Sequence, residues 1–330
     1  MRNLQSFTVE VDVQSRTKQK IGAMRGRALA LLGGLTASLA AAAQTPPIPE
    51  SLQSAEMRMS GDRVTLPIVM VREFPFVEGS IAGVAGKLLL DTGAQESLTV
   101  NSHRVPVADS QSVGVGRFGS GQTYVEQRVP VVRDIRVAGL RYGQVTHVDA
   151  QDATQLEHIT PDFIGWIGYY FWDGYALKLD YRNLQASFYR GSSETYLSGE
   201  KLIAALPFEL RLRQNIPVMS VHIGDLAATA AFDTGQYGAL YVDAATKSNM
   251  IQAGLLTNPG DDDTYDLTQL KINGQTFPDI KGIAVYTDGF PPAKSTGLVD
   301  KVVLTIGYGW LKNYKTVWDS QRKTIYVLEK

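Results

Sequence analysis

Short runs of alternating apolar and polar residues dominate this chain, and they read as β-strands. Val64 to Val71, Gly79 to Val84 and Lys87 to Leu90 have this pattern. Alternation and β-branched residues recur as far as Tyr189, punctuated by Gly and Asp/Asn turns. Tyr175 to Tyr181 and Leu184 to Tyr189, joined at Arg182-Asn183, predict a hairpin. Later, Ile216 to Ile223 and the turn Gly224-Asp225 lead into a second apolar run ending at Phe232. Helical character is confined to Asp243–Leu255, where Asp243 can cap, Ala244, Ala245 and Lys247 favour helix, and Gly254 stands near the end. No long amphipathic helix appears, so the expected class is mainly β.

Two of the apolar runs end in the same way. Leu88-Leu89-Leu90 precedes Asp91-Thr92-Gly93-Ala94, and Ala230-Ala231-Phe232 precedes Asp233-Thr234-Gly235-Gln236. Gly168 follows Asp91 by 77 residues (168 − 91), and Gly307 follows Asp233 by 74 (307 − 233). Each of these glycines ends an apolar segment, Trp166-Ile167 or Thr305-Ile306, and opens an aromatic one, with Asp180 and Asp319 each 12 residues on. Landmarks in the same order at nearly the same spacing indicate an internal duplication. Ser97 to Val100 and Ala239 to Val242 align as the segments that follow the two loops.

At these residues the chain resembles the aspartic peptidases of the pepsin and retropepsin group, from about Leu66 to the C-terminus. The resemblance implies a bilobal acid-protease-like fold of two similar β-barrel lobes with the active-site cleft between them. It implies Asp91 and Asp233 as the catalytic pair, with Thr92 and Thr234 bonding across to the opposite loop. Gly93 and Gly235 let the backbone turn sharply there, and Gly168 and Gly307 are the structural glycines behind the loops. Ala94 matches the retropepsin form. Gln236 is the main departure, and it either folds outward or crowds the pair. Gly114 to Tyr124 lies where the family's flap belongs; its four glycines suit a mobile hairpin tip, and Phe118, Gly119, Gly121 and Tyr124 are the flap candidates.

Two adjacent carboxyl groups supply a complete acid–base system for adding water to a peptide bond. The ionised one takes a proton from water, and the protonated one donates to the carbonyl oxygen. Like charges that close cannot both ionise easily, so the pair holds one proton. The expected function is an aspartic endopeptidase acting on extended peptide or unfolded protein, with no cofactor and no metal, as a monomer. The alternative is a catalytically impaired periplasmic module that binds peptide or protein in the same fold. A minor third reading has each half pairing with another chain. Ala94 offers no side-chain donor to the ionised form, which predicts activity nearer neutral pH than in pepsins.

Composition narrows the remaining choices. The chain has 330 residues, ample for two lobes, and its net charge of −1 advertises no nucleic-acid partner. It has no cysteine, which excludes disulfides and thiolate chemistry. Arg25 and Arg27, the apolar stretch Ala28 to Ala43 and the small residues at its end predict a signal peptide over 1–43, with Met24 as the expected true start. The expectation is export to the periplasm, or secretion, with no stable membrane insertion after cleavage. The remaining divisions are an extended leader over 44–62, an N-terminal lobe over 63–190, a linker over 191–203 and a C-terminal lobe over 204–330. His103, His147, His158 and His222 lack metal-ligand spacing. Asp261 to Asp263 with Asp266 reads as a solvated acidic turn rather than a calcium loop. The Gly114–Gly119 match to a dinucleotide fingerprint lacks the required strand and helix context.

Overall fold

The computed structural model describes residues 10–11, 56–117 and 122–330. The protein is mainly β, with 48% of residues in strands and 11% in helix. The predicted signal segment and the Met24 start lie outside the described residues, apart from Glu10–Val11, a two-residue strand beside Gly116 and Arg117. Of the predicted leader, Met57 and Met59 are buried in the core, so its described end is anchored.

Two large sheets repeat one design. In the first, the strands run side by side as Thr123–Val137, Leu140–Gln151, Thr99–Asn101, Phe163–Ile167, Val84–Leu90 and Phe74–Ile81. In the second, the order is Thr264–Leu267, Ile280–Tyr286, Gly238–Tyr241, Val303–Ile306, Leu226–Phe232 and Val218–Ile223. Each has a hairpin leading into Asp91 or Asp233, flanked by a parallel strand that ends just before Gly168 or Gly307. The first sheet curls until Phe74–Ile81 also pairs with Thr123–Val137. Strands this apolar, such as Phe163–Ile167 and Val303–Ile306, are buried throughout, as parallel strands covered on both faces must be.

A third sheet joins the halves. Its order is Leu202–Pro207, Thr324–Leu328, Lys315–Asp319, Ala176–Asp180, Gln185–Tyr189 and Arg63–Pro67. The central seam pairs Leu177 with Trp318 and Asp180 with Lys315. Asp180 accepts from the N–H groups of Arg182 and Asn183, and Asp319 from that of Arg322, so both are turn residues.

The hairpin over 176–189 and the helix Ala244–Gln252, capped by Asp243 on the Thr246 amide, form as the sequence predicts. Elsewhere the boundaries shift. The strand expected over 64–71 breaks after Pro67, and a turn at Ala82-Gly83 (φ 51° and 81°) interrupts the strand expected over 79–84. The expected linker folds onto the shared sheet instead. It holds a helix, Ser193–Leu197, whose Tyr196 is buried and bonded to Asp319, and Leu202 already begins a strand. Among the described residues no helix is long and apolar enough to cross a membrane.

Candidate active site

Asp91 and Asp233 occupy equivalent places. The Asp91 amide donates to the Ile167 carbonyl at 3.1 Å, and the Asp233 amide to that of Ile306 at 3.0 Å. Behind each loop the repeat glycine lets the crossing segment press against it. A Cβ on Gly168 would lie 2.6 Å from the Ala94 carbonyl, and one on Gly307 would lie 2.0 Å from that of Gln236. Tyr169 and Tyr308 donate their amides to those same two carbonyls, at 2.9 and 2.8 Å. The aromatic residues after each glycine are thus the packing that backs the loops.

The loops grip each other. The Thr92 amide donates to Thr234 Oγ1 at 3.0 Å, and the Thr234 amide donates to Thr92 Oγ1 at 2.9 Å. Thr234 Oγ1 donates onward to the Leu90 carbonyl at 2.8 Å. Gly93 and Gly235 each give an amide to the Asp of their own loop at 2.8 Å and lie against the Asp of the other. A Cβ on Gly93 would be 2.6 Å from Asp233 Oδ2, and one on Gly235 would be 2.5 Å from Asp91 Oδ1. Any larger residue would therefore push the carboxyl groups apart.

The two carboxyl groups lie within hydrogen-bonding reach of each other and are buried, with Asp91 0% and Asp233 2% exposed. Burial raises both above the ordinary carboxylate range, and the charge of Asp233 raises Asp91 further. Amide donors work against burial at both: Gly235, Gly93 and Gln236 favour the ionised form of Asp233, and the Gly93 and Ala94 amides favour that of Asp91. Among the described residues no donor reaches Asp91 Oδ2. An oxygen so placed is satisfied when it carries the proton and donates to its neighbour. Asp91 is raised the further of the two, which favours it as the carboxyl that keeps the proton when the pair holds one.

Gln236 folds inward, so the reading that turned it outward is corrected. It is 2% exposed, and its Nε2 donates to Asp233 Oδ2 at 3.3 Å. Its added bulk is accommodated in line with the carboxylate.

The first loop is held from the opposite half. Asn215, 4% exposed, donates through Nδ2 to the carbonyls of both Thr92 and Gly93 at 2.8 Å. Arg213 reaches Gln95 on the same loop. A second buried acid group lies beyond it. Glu96, Glu126 and Asp149 are all buried, with Arg128 Nε 2.5 Å from Asp149 Oδ1. Burial and then the charge of Glu96 push Asp149 up to about 8 and raise Glu126.

Sequence reasoning missed Asn215, Arg213 and this acid group. A signal for the first existed: Pro75 and Pro217 each stand 16 residues before an Asp (91 − 75, 233 − 217), and Asn215 precedes the second of them by two. The alignment of Ser97–Val100 with Ala239–Val242 is also corrected. Thr99 pairs with Trp166 as Ala239 pairs with Thr305, so the first loop is two residues longer than the second.

Of the flap candidates, Phe118, Gly119 and Gly121 lie outside the described residues. The flanking hairpin of Gln111–Arg117 and Thr123–Val137 is present. Tyr124 is buried, and a Cβ on Gly116 would lie 2.2 Å from its ring. Among the described residues no group of three or more His, Asp or Glu is arranged to hold a metal ion. No family model matches the chain, and no curated protein matches it.

Proposed function

We propose that the chain is an aspartic endopeptidase with two similar acid-protease-like lobes and a substrate cleft between them. The observation that carries this reading is the buried juxtaposition of Asp91 and Asp233 on two loops locked by reciprocal threonine bonds. Asp233, the anion, takes a proton from a water molecule as the water oxygen attacks the peptide carbonyl carbon. Asp91 gives its proton to the carbonyl oxygen, forming a neutral tetrahedral diol. Collapse returns one hydroxyl proton to Asp91 as the carbonyl re-forms. The proton held by Asp233 passes to the amide nitrogen as the C–N bond breaks. Burial serves this cycle twice: it keeps one carboxyl protonated, and it strengthens each charge interaction with the diol.

The substrate is an extended peptide or an unfolded protein, and one chain supplies both carboxyl groups. Export to the periplasm is part of the same reading and rests on the apolar stretch Ala28 to Ala43. The test is cleavage of an unfolded protein by the chain from Gln44 onward across acid to neutral pH, beside Asp91→Ala and Asp233→Ala. Cleavage that both substitutions abolish is the expected result. A folded protein that binds peptide and never cuts would favour the binding-module reading, and loss in Asp91→Ala alone would favour pairing between chains.

A further inference from the structure

Buried polar atoms without partners are few in folded proteins, and each asks for a reason. Among the described residues, those around the carboxyl pair include Asp91 Oδ2, Asn215 Oδ1 and Gln236 Oε1. The shared proton accounts for the first. The other two belong to side-chain amides of the same kind in matching situations. Asn215 spends both hydrogens of its Nδ2 on the Thr92 and Gly93 carbonyls, so a flipped amide would set oxygen against two oxygens. Gln236 spends its Nε2 on the ionised Asp233, and a flip would set oxygen against an anion. Each carbonyl oxygen is therefore fixed as an acceptor. One sits beside the Asp91 loop and the other beside the Asp233 loop, 4% and 2% exposed. They are buried to the same degree as the carboxyl groups.

We propose that Asn215 and Gln236 are substrate-binding residues whose side-chain oxygens accept backbone N–H groups of the bound peptide, one on each side of the scissile bond. This rests on the peptidase reading and gives the substrate class a specific demand: secondary amides at two main-chain positions. A backbone contact of this kind fixes register without selecting side chains. The assignment also explains why the first loop needs an amide donated from afar. The residue after its Asp-Thr-Gly is Ala94, which has no polar group; Asn215 reaches that loop's carbonyls from the second half, whereas Gln236 bonds the Asp233 carboxylate from within its own loop.

The test is a scan of singly N-methylated versions of one peptide that the wild type cuts. Binding is measured as Kd on Asp91→Asn, on Asp91→Asn with Asn215→Ala, and on Asp91→Asn with Gln236→Leu, with kcat/KM on wild type, Asn215→Ala and Gln236→Leu as the parallel readout. N-methylation removes one N–H donor, so it should weaken the peptide about tenfold or more at two positions. Asn215→Ala should abolish that sensitivity at one position and Gln236→Leu at the other, leaving penalties under about twofold. A merely structural role would lower all affinities together and leave the pattern of penalties unchanged, and that result overturns the proposal. The two arms are independent, so a misfolded Asn215→Ala leaves Gln236 decisive. If no peptide is bound or cut at all, the peptidase reading falls with it; if peptides are cut and the penalties are simply additive, only this assignment falls.

Discussion

The two Asp-Thr-Gly loops hang from equivalent strands and present carboxyl groups to each other, yet they are secured by different means. The second loop is self-sufficient: Gln236, the residue after its glycine, turns in and bonds Asp233. The first loop is two residues longer, has Ala94 at that place, and is clamped from the other half by Asn215 and Arg213. The counterpart of Asn215, counted back from Pro75, is Glu73, whose side chain is exposed. The surroundings differ too. Where the first half sets Arg128 opposite the buried Asp149, the second has Thr264 opposite Ala284. A duplicated unit can thus keep its backbone symmetry while the polar support of each copy drifts, and the asymmetry of the support becomes an asymmetry of charge. Both carboxyl groups receive backbone amides, but only Asp233 has a side-chain amide donor, Gln236, and Asp91 is raised the further.

Breaking the equivalence of the two carboxyl groups gives the largest effect. Asp91→Asn and Asp233→Asn should each cut peptide hydrolysis at least about a thousandfold, since either loss removes the acid or the base. Near-ultraviolet circular dichroism on both variants checks that folding survives. If either variant retains activity, the two roles are not divided between these residues.

The threonine grip tests the next level. Thr234→Val leaves the Thr92 amide and the Leu90 carbonyl both unpartnered, whereas Thr92→Val leaves only the Thr234 amide so. Each buried orphan costs about 1–3 kcal/mol, so Thr234→Val should be the more destabilising by roughly 1 kcal/mol in urea. Equal losses would mean that the onward bond to Leu90 carries no net stability.

The buried acid group sharpens the contrast between halves through pH. Asp149 is raised to about 8 in the folded protein, from its ordinary value of 3.8. The native state therefore holds an extra proton between those values, and stability is greatest below that window and falls as pH rises through it. Asp149→Asn cannot show this loss. Relative to wild type it should gain about 2 kcal/mol from pH 5 to pH 7, read from urea midpoints. A pH-independent difference would mean that Arg128 keeps Asp149 ionised throughout.

Gln236→Leu probes the smallest difference. Removing a donor from the anion disfavours ionisation, so the acidic limb of the kcat/KM profile should move to higher pH, by less than about one unit. A shift toward lower pH would contradict the placement of the anion on Asp233.

Much of this arrangement was legible in advance because it rests on local or repeated features. The paired Asp-Thr-Gly runs, the glycines behind them, the capped helix at Asp243 and the hairpin ending at Tyr189 are each set by a few consecutive residues. What was hidden depends on contacts between distant segments. The place of Asn215 two residues before Pro217 ties it to the repeat, but not to the carbonyls 123 and 122 residues away that its amide meets. The burial of Glu96, Glu126 and Asp149 is equally silent, since alternate polar residues on a strand ordinarily face water. The polar run after Gly191 suggested a free linker because Tyr196 and Leu197 are its only large apolar residues and Asp319, the partner of Tyr196, lies 123 residues on.

The shared six-stranded sheet has a consequence for how such a molecule is assembled. Each half contributes three adjacent strands, and the join is a single antiparallel contact between Ala176–Asp180 and Lys315–Asp319. A half made alone would leave that strand as a bare edge, open to another chain. Because the edge is antiparallel to its near-equivalent, two copies of one half could zip together there and complete the same six strands. Cut at Gly191, the protein should therefore behave as two pieces of one interlocking joint: soluble when co-expressed, prone to pairing with themselves when apart.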